Sequence, residues 1–419
     1  MAAVKVGRFV SGSATQTVSG VGFRPKCVIL WHTYQSNEET FENDLQAGIG
    51  AATATGEQWA SAIWDRHNQG TSDCFRRMEN DICVLAVSDP GTGRQIDMEG
   101  AFAGFTSDGF QITWSVSASV DISYIAIGGS ANAYAGVHLI DDAGGTPSIT
   151  GVGFQPSCIL AHGIHLGSLD AYSDHGFYSF GGGSSASATD QATCSIAIED
   201  DVTTTDTYRK FRQGEFLEVL TLAGGSQCNI NLDSFDADGY TWSVSSSFTA
   251  DRYMGYVALG NVSAFGGYDT QPVSTGDQAI TGAGFTPNLL FTWSHGHGNS
   301  GTVQDNAVFQ IGATDGTNET THIITSLDNQ GTSDSDRAQS DTDVLWRNAS
   351  NVGNHKSFDA DGFTINWTAC DGGERYYGYL ALLVSEATGW GHNINGVANA
   401  NIGKINGIPK ANIAKVNAA

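Results

Sequence analysis

One motif constrains this chain more than any other feature. Gly20-Val-Gly-Phe23-Arg-Pro25 returns as Gly151-Val-Gly-Phe154-Gln-Pro156 and again as Gly282-Ala-Gly-Phe285-Thr-Pro287, with a step of 131 residues both times. A fixed period over three copies means that one folding unit is used three times. Each copy opens with a glycine turn, a core phenylalanine and a proline. A short apolar strand follows: Cys27–Trp31, Cys158–Ala161, Leu289–Trp293. Each unit closes with a second signature, Phe105–Trp114, Phe235–Trp242 and Phe358–Trp367, built around Asp108-Gly109, Asp238-Gly239 and Asp361-Gly362. Asp-Gly between alternating apolar residues predicts a hairpin, because both central residues favour positive φ. The last strands, starting at Tyr124, Tyr256 and Tyr379, resemble one another as closely as the first ones do. First and last strands are expected to pair, which would bring the ends of each unit together and allow units to be strung in series.

The fold class predicted is all-β: three tandem antiparallel β-sandwich modules of jelly-roll-like type, spanning 1–131, 132–262 and 263–386, followed by an extended C-terminal arm, 387–419. The 53 glycines and 7 prolines suit many tight turns. Each unit is long enough to bury a core of its own without a metal or disulfide staple. The seven cysteines are odd in number and lack a C-x-x-C pair. Cys27 and Cys158 stand where the third unit has Leu289, which marks a buried apolar position. Reduced thiols and assembly in a cytoplasm are therefore expected. The opening Met-Ala-Ala-Val-Lys-Val-Gly has no secretion-signal pattern, and no apolar run reaches membrane-spanning length. A net charge of −25 argues against nucleic acid and against an anionic membrane surface as partners.

The character of the chain changes after Glu386. Residues 387–419 hold three lysines and no acid, so all 44 acidic side chains lie in the body. An 11-residue repeat begins at Ile394 and again at Ile405. A hendecad helix would place the apolar positions on one face. An Asn-Gly pair in each copy and Pro409 speak against it and favour extended segments with turns. With so few large side chains the segment is expected to order only against something else. The predicted anchoring residues are Trp390, Ile394, Val397, Ile402, Lys404, Ile405, Ile408, Lys410, Ile413, Lys415 and Val416.

The Gly-x-Gly-Phe-x-Pro opening and the Asp-Gly-Phe/Tyr…Trp closing resemble modules in virion proteins of tailed bacteriophages. The Ile-Asn-Gly…Ala-Asn-Ile-x-Lys tail is similar to C-terminal repeats of phage particle proteins. This resemblance implies a decoration protein, head fibre or tail component, with other virion proteins as partners and the virion as its location. It brings no catalytic residue and no cofactor with it. Three copies in one chain could also imitate a homotrimer at a threefold position of a shell.

Several residues invite chemical readings. His162 with His165, and His295 with His297, follow the first strand; the last two share a strand face and could share a metal. No further ligand completes a set, so no metal is expected. Asp236-x-Asp238-Gly and Asp359-x-Asp361-Gly resemble the start of a calcium loop, but lack its closing glutamate. The run Asp328, Asp334, Asp336, Asp341, Asp343 is a better calcium candidate and reads more simply as a solvated loop. Trp114, Trp242 and Trp367 recur once per unit and read as core. Trp59, Trp64, Trp346 and Trp390 are less regular and read as a contact surface. Asn68–Asp73, Asp201–Asp206 and Asn329–Asp334 are recurring polar turns. No nucleophile elbow, phosphate loop or zinc-protease motif occurs. The sequence reading is thus a non-enzymatic virion protein. A host-glycan-binding adhesin is the alternative, and a glycan-degrading enzyme using an unidentified carboxylate pair is the third choice.

Overall fold

A computed structural model describes residues 3–140, 145–244, 251–298 and 300–386, and the dipeptides 404–405 and 408–409. Every paired strand in it is antiparallel, and each repeat contributes two sheets. In the first repeat the larger sheet runs Val4–Val10, Asp121–Ile127, Cys27–His32, Leu45–Ala54, Glu57–Asp65 and Cys74–Glu79. The smaller sheet of four runs Thr15–Ser19, Gly109–Val116, Gln95–Thr106, Val84–Ser88. The other two repeats have the same order. The expected pairing of first and last strands is present three times, with Ile29 opposite Ile125, Leu160 opposite Val257 and Phe291 opposite Leu380. The Asp-Gly hairpins are present as well.

The two repeated signatures form one device. Gly20 and Gly22 both have positive φ (83° and 88°). Their N–H groups donate to the two carboxylate oxygens of Asp108, at 3.0 and 2.5 Å. Asp238 receives Gly151 and Gly153, and Asp361 receives Gly282 and Gly284, in the same way. Two glycines with positive φ, one residue apart, turn their N–H groups toward one carboxylate. This ties the start of the outer sheet to its hairpin, 86 to 88 residues away in the first repeat.

The strand that follows the Gly-x-Gly-Phe-x-Pro motif is buried on both faces. Cys27–His32 and Leu289–Ser294 are buried at all six positions. Val28 and Leu30 face the outer sheet, where they pack with Phe110, Ile112 and Trp114. Cys27, Ile29 and Trp31 face the other way, into a cluster that also holds Cys158, Leu160 and Phe180 of the second repeat and Leu289, Phe291 and Trp293 of the third. Trp31 meets Phe291 at 5.6 Å between ring centroids, and Phe180 stacks on Phe291 at 5.4 Å. The three larger sheets therefore enclose one common core, and the three smaller sheets cover them outside. Glycine permits the close fit between layers: at Gly50, Gly181 and Gly312 an added Cβ would collide with the main-chain oxygens of Cys83, Phe216 and Val344.

Strand exchange closes the arrangement into a ring. Ser173–Asp174 of the second repeat pairs with Cys74–Glu79 of the first. Gln304–Asp305 of the third pairs with Thr207–Gln213 of the second. Glu42–Asn43 of the first pairs with Ser335–Ser340 of the third. Each larger sheet thus gains a seventh strand from a neighbour. The exchange also covers an edge that would otherwise be open. All-β sandwich architecture is as expected. Self-contained units in series are not what forms: the units share a core and close on themselves, because the inner face of each larger sheet is apolar and has only the other two to bury it.

Register fixes which end is which. His32 pairs with Gly48, and Leu45 pairs with Asp65, so His32, Leu45 and Asp65 lie toward one end. Ile127 pairs with Cys27 at the other. The chain passes from the first repeat to the second at that second end, where Ser130 N donates to Ser385 O of the third repeat at 2.9 Å and Gly128 N closes the first repeat on Ala3 O at 2.8 Å. Beyond Glu386, Lys404-Ile405 pairs antiparallel with Ile408-Pro409, the two dipeptides flanking Asn406-Gly407 in the sequence. This agrees with the extended reading at that point. The remaining predicted anchors, Trp390, Ile394, Val397, Ile402, Lys410, Ile413, Lys415 and Val416, lie outside the described residues.

Candidate functional site

The end of the ring opposite Ser385 is built from the three polar turns. Each turn begins with a residue in the left-handed region, Asn68 (φ 59°), Asp201 (61°) and Asn329 (54°). Asn and Asp tolerate that conformation best among side-chain-bearing residues. Each turn ends with a buried hydroxyl: Ser72, Thr205 and Ser333. Ser72 Oγ donates to Glu199 O at 2.8 Å and accepts Val202 N at 3.0 Å, both of the second repeat. Thr205 Oγ1 does the same with Leu327 O and Gln330 N of the third, both at 2.8 Å. Ser333 Oγ returns to the first repeat, donating to Arg66 O at 2.5 Å and accepting Gln69 N at 2.9 Å. Main-chain bonds run in parallel, with Asn68 N to Ser333 O, Asp201 N to Ser72 O and Asn329 N to Thr205 O. The turns form a closed hub in which each grips the next.

Below the hub, an arginine in each repeat, buried in the first two and half-buried in the third, lies beside the strand inserted by its neighbour. Arg76 donates to the carbonyls of Ile164, His165, Asp174 and His175. Arg337 donates to Asn43 O at 2.7 Å and Asp44 O at 2.6 Å and pairs with Glu42 at 3.3 Å. Arg209 breaks the pattern. It is 6% exposed, and its Nε and Nη1 have no acceptor among the described residues. Burial first, then repulsion from Arg347 and Arg375, pulls its pKa down to about 10. It lines a pocket of about 310 Å³ with Phe41, Asn306, Asp336, Arg347 and Asn348.

The structure redistributes the residues singled out by sequence. Trp114, Trp242 and Trp367 are core, at 7%, 1% and 3% exposure. Trp59, Trp64 and Trp346 are buried too, so they form no outer contact surface. Trp59 instead joins repeats, stacking on His162 at 5.8 Å and donating to Tyr256 O at 3.1 Å. Trp390 lies outside the described residues. His162 is fully buried, with Nε2 2.5 Å from Ser61 Oγ, and burial holds its pKa down at about 3. His295 and His297 lie with ring centroids 6.3 Å apart, His295 fully buried. The supposed calcium loops are occupied by the protein itself. Asp238 and Asp361 bind the glycine turns, while Asp236 accepts Ser234 and Thr241, and Asp359 accepts Ser357 and Thr364.

Among the described residues, two groups of three side chains come close enough to share a cation: His67 with Asp334 and Asp336, and Glu79 with Asp81 and Asp170. His67 Nδ1 already lies 3.2 Å from both the N and the O of Ser335, and Glu79 is engaged by Arg77. Neither offers a ready donor set. The strongest resemblance to a catalytic acid pair is Glu215 with Glu218: burial raises the pKa of Glu215 to about 7, and Glu218 pairs with Lys210 at 3.0 Å. A buried carboxylic acid beside a second carboxylate suits acid–base work, but the Glu218 side chain has no exposed surface for a substrate to meet. Asp65 also has its pKa raised to about 7 by burial, and it sits sealed beneath the hub beside Ser335. The turns were legible as recurring polar loops, but their interlocking was not. Arg209 carried no sequence signal beyond its spacing from Arg76. No family model, curated protein or solved structure was found to match the chain.

Proposed function

We propose that the protein is a non-enzymatic structural protein of a phage particle, displayed on the particle surface and attached through residues 387–419. The observation that carries this reading is the cyclic exchange of strands, by which one chain builds what a homotrimer would otherwise build. Such an object suits a threefold or pseudo-threefold position on a shell or tail. Polarity supports the same reading: Ser385 lies at the end opposite the hub, so the arm departs from one end and the interlocked turns face the other. The arm carries lysines and no acid, and the body carries the acidic excess. Its partner is therefore an acidic or apolar groove on another virion protein. The test is deletion of 387–419. The truncated protein should keep its cooperative unfolding and lose incorporation into particles; unchanged occupancy refutes the reading.

A further inference from the structure

The break in symmetry at Arg209 points to a ligand. Arg76 and Arg337 both donate to main-chain carbonyls at the strand inserted beside them, although Arg337 Nε also lacks an acceptor among the described residues. Arg209 receives an inserted strand too, with its own main chain opposite Gln304, yet its guanidinium does not clasp it. A buried guanidinium with two unpartnered nitrogens costs several kcal/mol unless an anion completes it. Arg347, with its side chain 27% exposed, adds a second positive charge, and its only ion partner among the described residues is Asp371 at 3.9 Å. Asp336 lies on the lining and Asp305 acts on Arg209 from the inserted strand, so acids are present but do not bond to the guanidinium.

The rest of the pocket is not that of a bare ion site. Phe41 is 39% exposed and is held by stacking on Trp346 at 5.5 Å. A fixed, exposed aromatic ring offers a face to an apolar or sugar surface. Asn306 and Asn348 use their Oδ1 atoms on Asp328 N and Ser350 N, at 2.9 and 2.8 Å, and their Nδ2 groups have no acceptor among the described residues. Planar guanidinium groups match carboxylates in bidentate fashion. Amide donors then suit hydroxyl oxygens, and Phe41 suits a pyranose face. We infer that this pocket, at the junction of all three repeats, binds a carboxylated sugar residue of an acidic glycan, with Arg209 and Arg347 on the carboxylate and Phe41 under the ring. The site lies near the hub, away from the end from which the arm departs. The inference does not depend on where the protein sits in a particle.

The experiment is titration calorimetry on the full chain with oligogalacturonate, oligoglucuronate and alginate fragments, alongside neutral oligosaccharides of the same length, inorganic sulfate and a glutamate-rich peptide. At least one carboxylated sugar should bind, with its neutral counterpart about tenfold or more weaker, as expected when a charge-assisted hydrogen bond is lost. Arg209→Gln should weaken binding about tenfold while leaving the thermal midpoint unchanged or higher. Arg347→Gln and Phe41→Ala, nearer the surface, should weaken it as well and guard against a folding defect at Arg209. No binding of any carboxylated sugar overturns the inference. So do equal affinity for neutral sugars, binding of sulfate or peptide alone, and affinity indifferent to all three substitutions.

Discussion

A single repeat, residues 1–131 expressed alone, should not fold as a monomer. Six of its large side chains, Ile29, Trp31, Leu45, Ile49, Trp59 and Ile63, are at most 2% exposed, and all belong to the cluster shared by the three repeats. Removing the other repeats uncovers one face of the larger sheet and with it much of these six. Burial of such a side chain is worth about 1.5–3 kcal/mol, so the loss is roughly 9 kcal/mol even at the lower value. A whole domain is stable by only about 5–15 kcal/mol. The hub bonds from Ser72 to the second repeat and from Ser333 to the first would be lost as well. Light scattering after gel filtration, with far-UV circular dichroism on heating, decides the matter. The fragment should aggregate, show no cooperative transition, or assemble with two further copies into a trimer. The full chain should unfold in one transition. A monomeric fragment with a sharp transition of its own would refute the shared-core argument.

Three further outcomes follow from local geometry. Thr205→Val keeps the shape but leaves Leu327 O and Gln330 N without their buried partner, and should cost about 2–4 kcal/mol in urea denaturation, counting a typical penalty for each orphaned group; a change under ~0.5 kcal/mol would show that the hub does not bear on stability. Asp108→Ala, Asp238→Ala and Asp361→Ala each remove two N–H acceptors at an exposed turn and should each cost about 1–2 kcal/mol; effects of opposite sign at equivalent sites would break the symmetry argument. Asp65→Asn should matter little at pH 4 and stabilise at pH 8. Burial raises the folded pKa of Asp65 to about 7, so the wild type loses stability as pH rises from the unfolded value near 3.8 toward 7, whereas the amide has no proton to lose. The ceiling on that gain is about 4 kcal/mol from the size of the shift. A difference between the two proteins that stays flat from pH 4 to 8 in thermal melts would contradict it.

Sequence alone determined the triplication, the all-β class, the Asp-Gly hairpins, the pairing of first with last strands and the burial of Trp114, Trp242 and Trp367. These rest on signals carried within a few residues or by a constant period: turn chemistry, alternation and repetition. One clue to the shared core was also present, since Cys27–Trp31 is a continuous apolar run and Leu289–Trp293 is broken only by Thr292, rather than alternating, as in strands buried on both faces. Only the tertiary structure decided what covers the second face. The inserted strands are two residues long, too short for any pattern. The glycine–aspartate device and the hub join groups more than 75 residues apart, and the partnerless Arg209 reports how a side chain ended relative to a neighbour's carbonyls. Local sequence sets which faces are apolar. Which surfaces meet is a property of three repeats closing together, because the free energy of burial depends on the whole area removed from water and not on the order of residues along any one strand.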